Sequence, residues 1–228
     1  VHHTGSMAPS LPPLPVDALL PRAVELLRAG RNLVLSADPG AGKTTRLPRA
    51  LLDAGLLEAG SCWVLEPRRL AARLAACRVA EELGEAVGER VGYAVRFERR
   101  AGPATRIHFV TEALLLRRLQ ENPCLDGIAV AVLDEFHERS LHTDLALALL
   151  RRLQRERRPD LRIVAMSATL DAGPLSAYLD AEHLHSGGRL HPVELRHAER
   201  PDAHPLEQQV ASSLETLDPG RGHALVFL

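Results

Sequence analysis

Short apolar runs rich in Val, Ile and Leu alternate with longer amphipathic stretches through most of this chain. The runs cover residues 32–35, 62–65, 106–110, 128–133 and 163–166. The stretches with helical spacing cover 16–29, 44–54, 70–83, 112–121 and 143–156. A strand apolar on both faces must be buried on both, and strands joined through helices pair in parallel. The pattern therefore predicts an α/β fold, a doubly wound and mostly parallel sheet, with ligands bound beyond the carboxyl ends of its strands. Past residue 172 the alternation weakens; there a strand over 192–196, a helix over 206–217 and a strand over 224–228 are expected. The last follows the Pro219-Gly220 turn.

Length and composition narrow the class. A chain of 228 residues, 46% apolar and 25% charged, buries one substantial core and is ordinary for a globular protein. No apolar run is long enough to span a bilayer and no secretory pattern opens the chain, so no membrane role is expected. Cys62, Cys77 and Cys124 show neither CxxC pairing nor metal-ligand spacing, which suits reduced thiols and a cytoplasmic location. Residues 1–6, with His2 and His3 ahead of Met7, read as a tag remnant, and the proline-rich 7–15 as an irregular lead-in. The net charge of −1 excludes a general polyanion sponge, so any nucleic-acid contact must rest on local groups. Lys43 is the only lysine among many arginines.

That lysine sits in Ala37-Asp38-Pro39-Gly40-Ala41-Gly42-Lys43-Thr44, after the first run and before a helix. The segment matches the phosphate-loop pattern G-x-x-x-x-G-K-[ST] except that Ala37 replaces the first glycine. Small residues let backbone N–H groups and a helix N-terminus close around phosphate. The expected nucleotide contacts are Asp38, Pro39, Gly40, Ala41, Gly42, Lys43, Thr44 and Thr45, with Lys43 on the β- and γ-phosphates of ATP. The Thr44 hydroxyl is a Mg²⁺ ligand candidate. Alanine at position 37 requires a negative φ. The run 129–133 ends in Asp134-Glu135-Phe136-His137. An acidic residue at a buried strand tip beside a phosphate loop holds Mg²⁺ through water, a role that fits Asp134. The following carboxylate, Glu135, can take a proton from the attacking water.

Further segments distinguish among the many enzymes that share these two features. Residues 65–72, LEPRRLAA, resemble motif Ia of DEAH-box helicases, and 91–98, VGYAVRFE, resemble the stretch that follows it. Val110-Thr111-Glu112-Ala113 resembles motif Ib with Ala113 for the usual glycine. Residues 134–140, DEFHERS, resemble the DEAH motif with phenylalanine for alanine, and Ser167-Ala168-Thr169 resembles motif III. The ordered set is most similar to the bacterial HrpB-like branch.

The resemblance implies a P-loop NTPase domain of RecA-like fold over 16–200. It also implies that 201–228 are a linker and the first strand of a truncated second RecA-like domain of the same chain. It places His137 with Glu135 and Lys43 in the catalytic group, and Arg78 against the nucleotide base, where a planar cation stacks on a ring. It sets Arg68, Arg69 and Thr111 along a groove that holds a nucleic-acid backbone, and makes Ser167 and Thr169 couple the phosphate site to domain movement. Single-stranded RNA is the implied polymer and ATP with Mg²⁺ the implied fuel. The function so implied is an ATP-dependent RNA helicase; a nucleotide-dependent binding module or switch is the alternative.

Overall fold

The computed structural model describes residues 12–168, 172–187, 195, 197, 203–216, 224 and 226. Thr169 lies outside them, and the strands expected over 192–196 and 224–228 fall largely outside them. The chain divides into two compact units, Val1–Arg189 and Leu190–Leu228. In the second, one helix, Leu206–Glu215, stands where a helix over 206–217 is expected.

The first unit is an eight-stranded sheet among the described residues, and all five apolar runs are strands in it. These are β1 (Asn32–Ala37), β2 (Ser61–Glu66), β5 (Ile107–Thr111), β6 (Ile128–Leu133) and β7 (Arg162–Ser167). Three further strands are β3 (Val91–Val95), β4 (Glu98–Arg100) and β8 (Ala181–Ser186). The order is β4-β3-β5-β2-β6-β7-β1-β8, antiparallel only between β3 and β4. β4 and β8 are polar strands at the two edges, where one neighbour suffices and no apolar run is needed; periodicity does not find them. β3 contains Gly92, whose missing side chain leaves room for the carbonyl of Arg100 as the chain folds back.

Helices cover both faces, as the two-sided apolar runs require. On one face, α1 (Leu20–Arg28), α2 (Lys43–Asp53) and α3 (Arg69–Leu83) bury Leu27, Leu47, Leu51 and Val79 against Leu33, Leu35, Val64, Phe109 and Val132. On the other, α4 (Glu112–Glu121), α5 (Leu141–Glu156) and α6 (Ala172–Leu179) bury Leu115, Leu150 and Leu179 against Val34, Leu65, Ala131 and Ile163. The fold is the expected doubly wound α/β sheet. The helix expected over 16–29 is shorter: a 3₁₀ turn, Pro15–Leu19, precedes α1, and Pro21 sits in the first turn of α1, where its missing N–H costs nothing.

One buried polar clamp joins the layers. Asn32 on β1 exchanges amide hydrogen bonds with Gln154 on α5 at 3.0 and 2.8 Å, donates to the Leu179 carbonyl, and accepts from the Ile163 amide. Every amide group is thus used, which is what makes burial of the pair tolerable.

Candidate nucleotide and nucleic-acid site

All the expected site residues that are described, apart from Arg78 on α3, belong to the loops and helix starts at the carboxyl ends of β1, β2, β5, β6 and β7. Ala37 is the last residue of β1 and is not among the positive-φ residues, so no glycine is required there. The turn needs glycine later: Gly40 and Gly42 have φ of 78° and 92°. A side chain on Gly42 would also run into Leu14 and Arg46. Gly42 caps α2, so Lys43 and Thr44 open that helix with free backbone amides.

Lys43 is 4% exposed, its ammonium group donating to the carbonyls of Ala37 at 2.6 Å and Asp38 at 3.3 Å. These contacts hold the loop around the cation, at the point where phosphate oxygens would replace carbonyls. Thr44 Oγ1 donates to Asp134 Oδ2 at 2.5 Å, joining the phosphate loop to the end of β6 across ninety residues of sequence. Asp134 is buried, and its other oxygen accepts the Glu135 amide at 2.8 Å. Glu135 lies in left-handed backbone, φ 47°, with its side chain about one-third exposed. His137 Nδ1 lies 3.4 Å both from Glu135 Oε2 and from the Ala168 amide nitrogen.

One further carboxylate completes the site, and it was not anticipated. Glu66, the last residue of β2, is 2% exposed with Oε1 unpartnered. Burial, with the charge of Asp134 beside it, lifts its carboxyl well above the ordinary carboxylate range. Burial lifts Asp134 too, against the opposing pull of the Thr44 hydroxyl. Buried acids in contact share a proton unless a cation compensates them. A Thr hydroxyl and an Asp carboxylate beside an unpartnered acid oxygen suit a hard divalent cation such as Mg²⁺, which takes one or two carboxylates and leaves the rest of its shell to phosphate and water.

A carboxyl raised in the folded state stabilises the fold while protonated. That contribution is complete below the ordinary carboxylate pKa and is lost as pH rises through the raised value. The cation-free chain is therefore expected to lose melting temperature from about pH 5 upward through neutrality. Glu66→Gln should flatten that slope in a series of melts across pH. A slope unchanged by the substitution would rule out the shared proton.

The groove candidates also meet here. Thr111 ends β5 directly opposite Glu66 on β2, and Arg68 and Arg69 start α3 two and three residues beyond Glu66. Arg68 is exposed and donates to Glu138 at 2.8 Å. Beside Thr111 the β3–β4 turn holds up Phe97, 90% exposed at φ 70°, with the Arg96 guanidinium 4.7 Å over its ring. These two, with Arg99, Arg117 and Thr111, line a groove of about 550 Å³. The arginines in VGYAVRFERR were visible in the sequence; that a strained turn exposes the phenyl ring was not.

Arg78 stands on α3, half exposed, paired with Glu82 at 3.0 Å and Glu81 at 3.8 Å. Ser167 departs from expectation. Its hydroxyl is buried without a hydrogen-bond partner, and among the described residues the link from this segment to the acidic turn is the Ala168 amide on His137. As the last residue of β7, Ser167 is enclosed by the sheet, so the backbone one residue later makes the contact. Phe136, the residue that departs from the DEAH pattern, is 3% exposed and packs in the core beneath α5 and α6.

Comparison with known proteins identifies the family of the chain. The family profile described as DEAD/DEAH box helicase matches residues 21–176. The ATP-dependent RNA helicase HrpB of Escherichia coli (strain K12) is 45% identical over 217 residues, which is 94% of this chain and 27% of that protein. A crystal structure of the Escherichia coli DEAH/RHA helicase HrpB superposes with a TM-score of 0.81 at 46% identity, covering 88% of this chain and 26% of that one. A crystal structure of the E. coli DExH-box NTPase HrpB gives 0.76 at 43% identity, covering 92% and 27%. The chain thus spans about a quarter of the length of these relatives. With the phosphate loop, the acidic strand end and the intervening motifs joined at one end of one sheet, the chain belongs to the DEAD/DEAH box helicases.

Proposed function

We propose that residues 16–200 are the nucleotide-binding motor domain of an ATP-dependent RNA helicase, and that 201–228 lead into a second RecA-like domain. The observation that carries this reading is adjacency. Asp134, which accepts from Thr44 of the phosphate loop, follows β6. β6 neighbours β2, whose end leads into Arg68 and Arg69, and β5 with Thr111 is the next strand, so nucleotide and polymer would bind on neighbouring strand ends.

In this reading Lys43 leaves the Ala37 and Asp38 carbonyls for the β- and γ-phosphates, and the α2 N-terminus and loop amides neutralise the rest. Thr44 directly and Asp134 through water would hold Mg²⁺, which would supply charge neutralisation for the phosphates. Glu135 orients and deprotonates the attacking water, with His137 beside it at the γ-phosphate end. Arg78 stacks on the base. The Ala168 amide links the segment after β7, with Ser167 and Thr169, to the acidic turn and carries its movement onward. Arg68, Arg69 and Thr111 grip phosphates without reading bases, which allows a strand to move through in steps.

The test is ATP turnover by the full-length protein with and without single-stranded RNA, with single-stranded DNA as a control. RNA is expected to raise turnover, and the effect should weaken steeply with added salt, since phosphate contacts release counterions. Turnover indifferent to both polymers would replace the motor with a nucleotide-operated switch that acts on a protein.

A further inference from the structure

The acidic turn of residues 136–138 is bracketed by two non-glycine residues in left-handed backbone, Glu135 at φ 47° and Arg139 at φ 41°. Such a turn persists only while its surroundings hold it. Three anchors tie it to the α5 side. The Phe136 ring is buried, Arg139 makes a two-bond fork with Asp144 at 2.9 Å each, and Ser140 caps α5 while donating to Glu112 at 3.2 Å. Glu138 reaches the other way, to Arg68 at 2.8 Å on the β2 side.

This fourth anchor differs in kind. The Arg68 side chain is 72% exposed and stands next to Arg69 at the start of α3, just past the end of β2 that pairs with Thr111, where a polymer backbone would lie on the reading proposed above. A guanidinium fork accepts carboxylate or phosphate alike, and an exposed ion pair is weak enough to be displaced. Glu138 is also close enough to the buried acids for its charge to act on Glu66.

We propose that nucleic-acid phosphate competes with Glu138 for Arg68, and that losing this ion pair releases the turn carrying His137 next to Glu135. Glu138 is then a positioning residue through which an occupied groove is reported to the nucleotide site. The proposal rests on the helicase reading and adds the contact that couples its two halves.

The experiment uses the full-length protein, wild type against Glu138→Gln and Arg68→Gln. It measures oligouridylate affinity by fluorescence anisotropy and ATP turnover with and without that RNA. Glu138→Gln removes the competitor, so RNA should bind about two- to fivefold tighter, the range of one exposed ion pair. RNA-free turnover should rise, and the ratio of stimulated to unstimulated turnover should fall by a similar factor. Arg68→Gln should also raise RNA-free turnover, but with weaker RNA binding. A merely structural role would lower turnover in both variants and tighten RNA binding in neither, which would overturn the proposal. So would a Glu138→Gln protein with wild-type affinity and wild-type stimulation. A wild-type protein that RNA does not stimulate would instead remove the helicase reading itself.

Discussion

Glu135→Gln is expected to lower ATP turnover by about 10²–10⁴-fold, the usual contribution of a positioned general base. Nucleotide and RNA should still bind. The substitution keeps the shape of the side chain and removes only its basicity. Glu135 is about one-third exposed, and its side-chain contact is His137 at 3.4 Å, so nothing buried is left unpaired. The melting temperature should therefore stay close to wild type. Steady-state turnover with equilibrium nucleotide binding separates the outcomes. Lost turnover with retained binding assigns the base to Glu135, whereas undiminished turnover transfers that role to another group. Asp134 would behave differently. Its carboxylate holds Thr44 and the Glu135 amide in a buried position, so changing it would disturb the loop junction as well as the chemistry.

The largest expected effect on stability belongs to Phe136→Ala. The ring is 3% exposed and sits in the core formed by β6, α5 and α6, with the Arg139 guanidinium 5.4 Å above it. Deleting a buried phenyl ring costs about 3–5 kcal/mol through lost burial and the cavity left behind. At roughly 2–4 °C per kcal/mol for a domain of this size, the melting temperature should drop by about 10 °C. Leu147 and Leu175 stand around the ring. Phe136→Leu keeps most of the volume and should cost far less. Because Phe136 also anchors the strained acidic turn, turnover should fall in Phe136→Ala even at temperatures where the protein is folded. A thermal melt within about 2 °C of wild type would show that the ring is dispensable.

The parts of this molecule legible in the sequence are those governed by local chemistry. Apolar runs on both strand faces announced a sheet covered on both sides, because burial on both faces admits no polar alternation. Gly40, Gly42, Lys43 and Thr44 announced the phosphate loop, because a positive φ and a helix-opening cation leave few substitutes. Asp134 and Glu135 were legible as a strand tip that turns acidic. The edge strands β4 and β8 were not, since a strand paired on one side needs no apolar signature.

What only the tertiary structure decided are the partnerships between residues distant in sequence. Glu66 reads as part of a basic motif until β2 and β6 pair and set it against Asp134, where desolvation changes its protonation. Glu112 reads as a helix-start acid until α4 meets α5 and Ser140 and Thr143 donate to it. Arg68 reads as a free cation for phosphate until the fold presents Glu138 to it. Composition and periodicity specify which faces are buried. Which charges meet, and at what cost in desolvation, depends on strand order, and strand order is settled by the packing of the whole sheet.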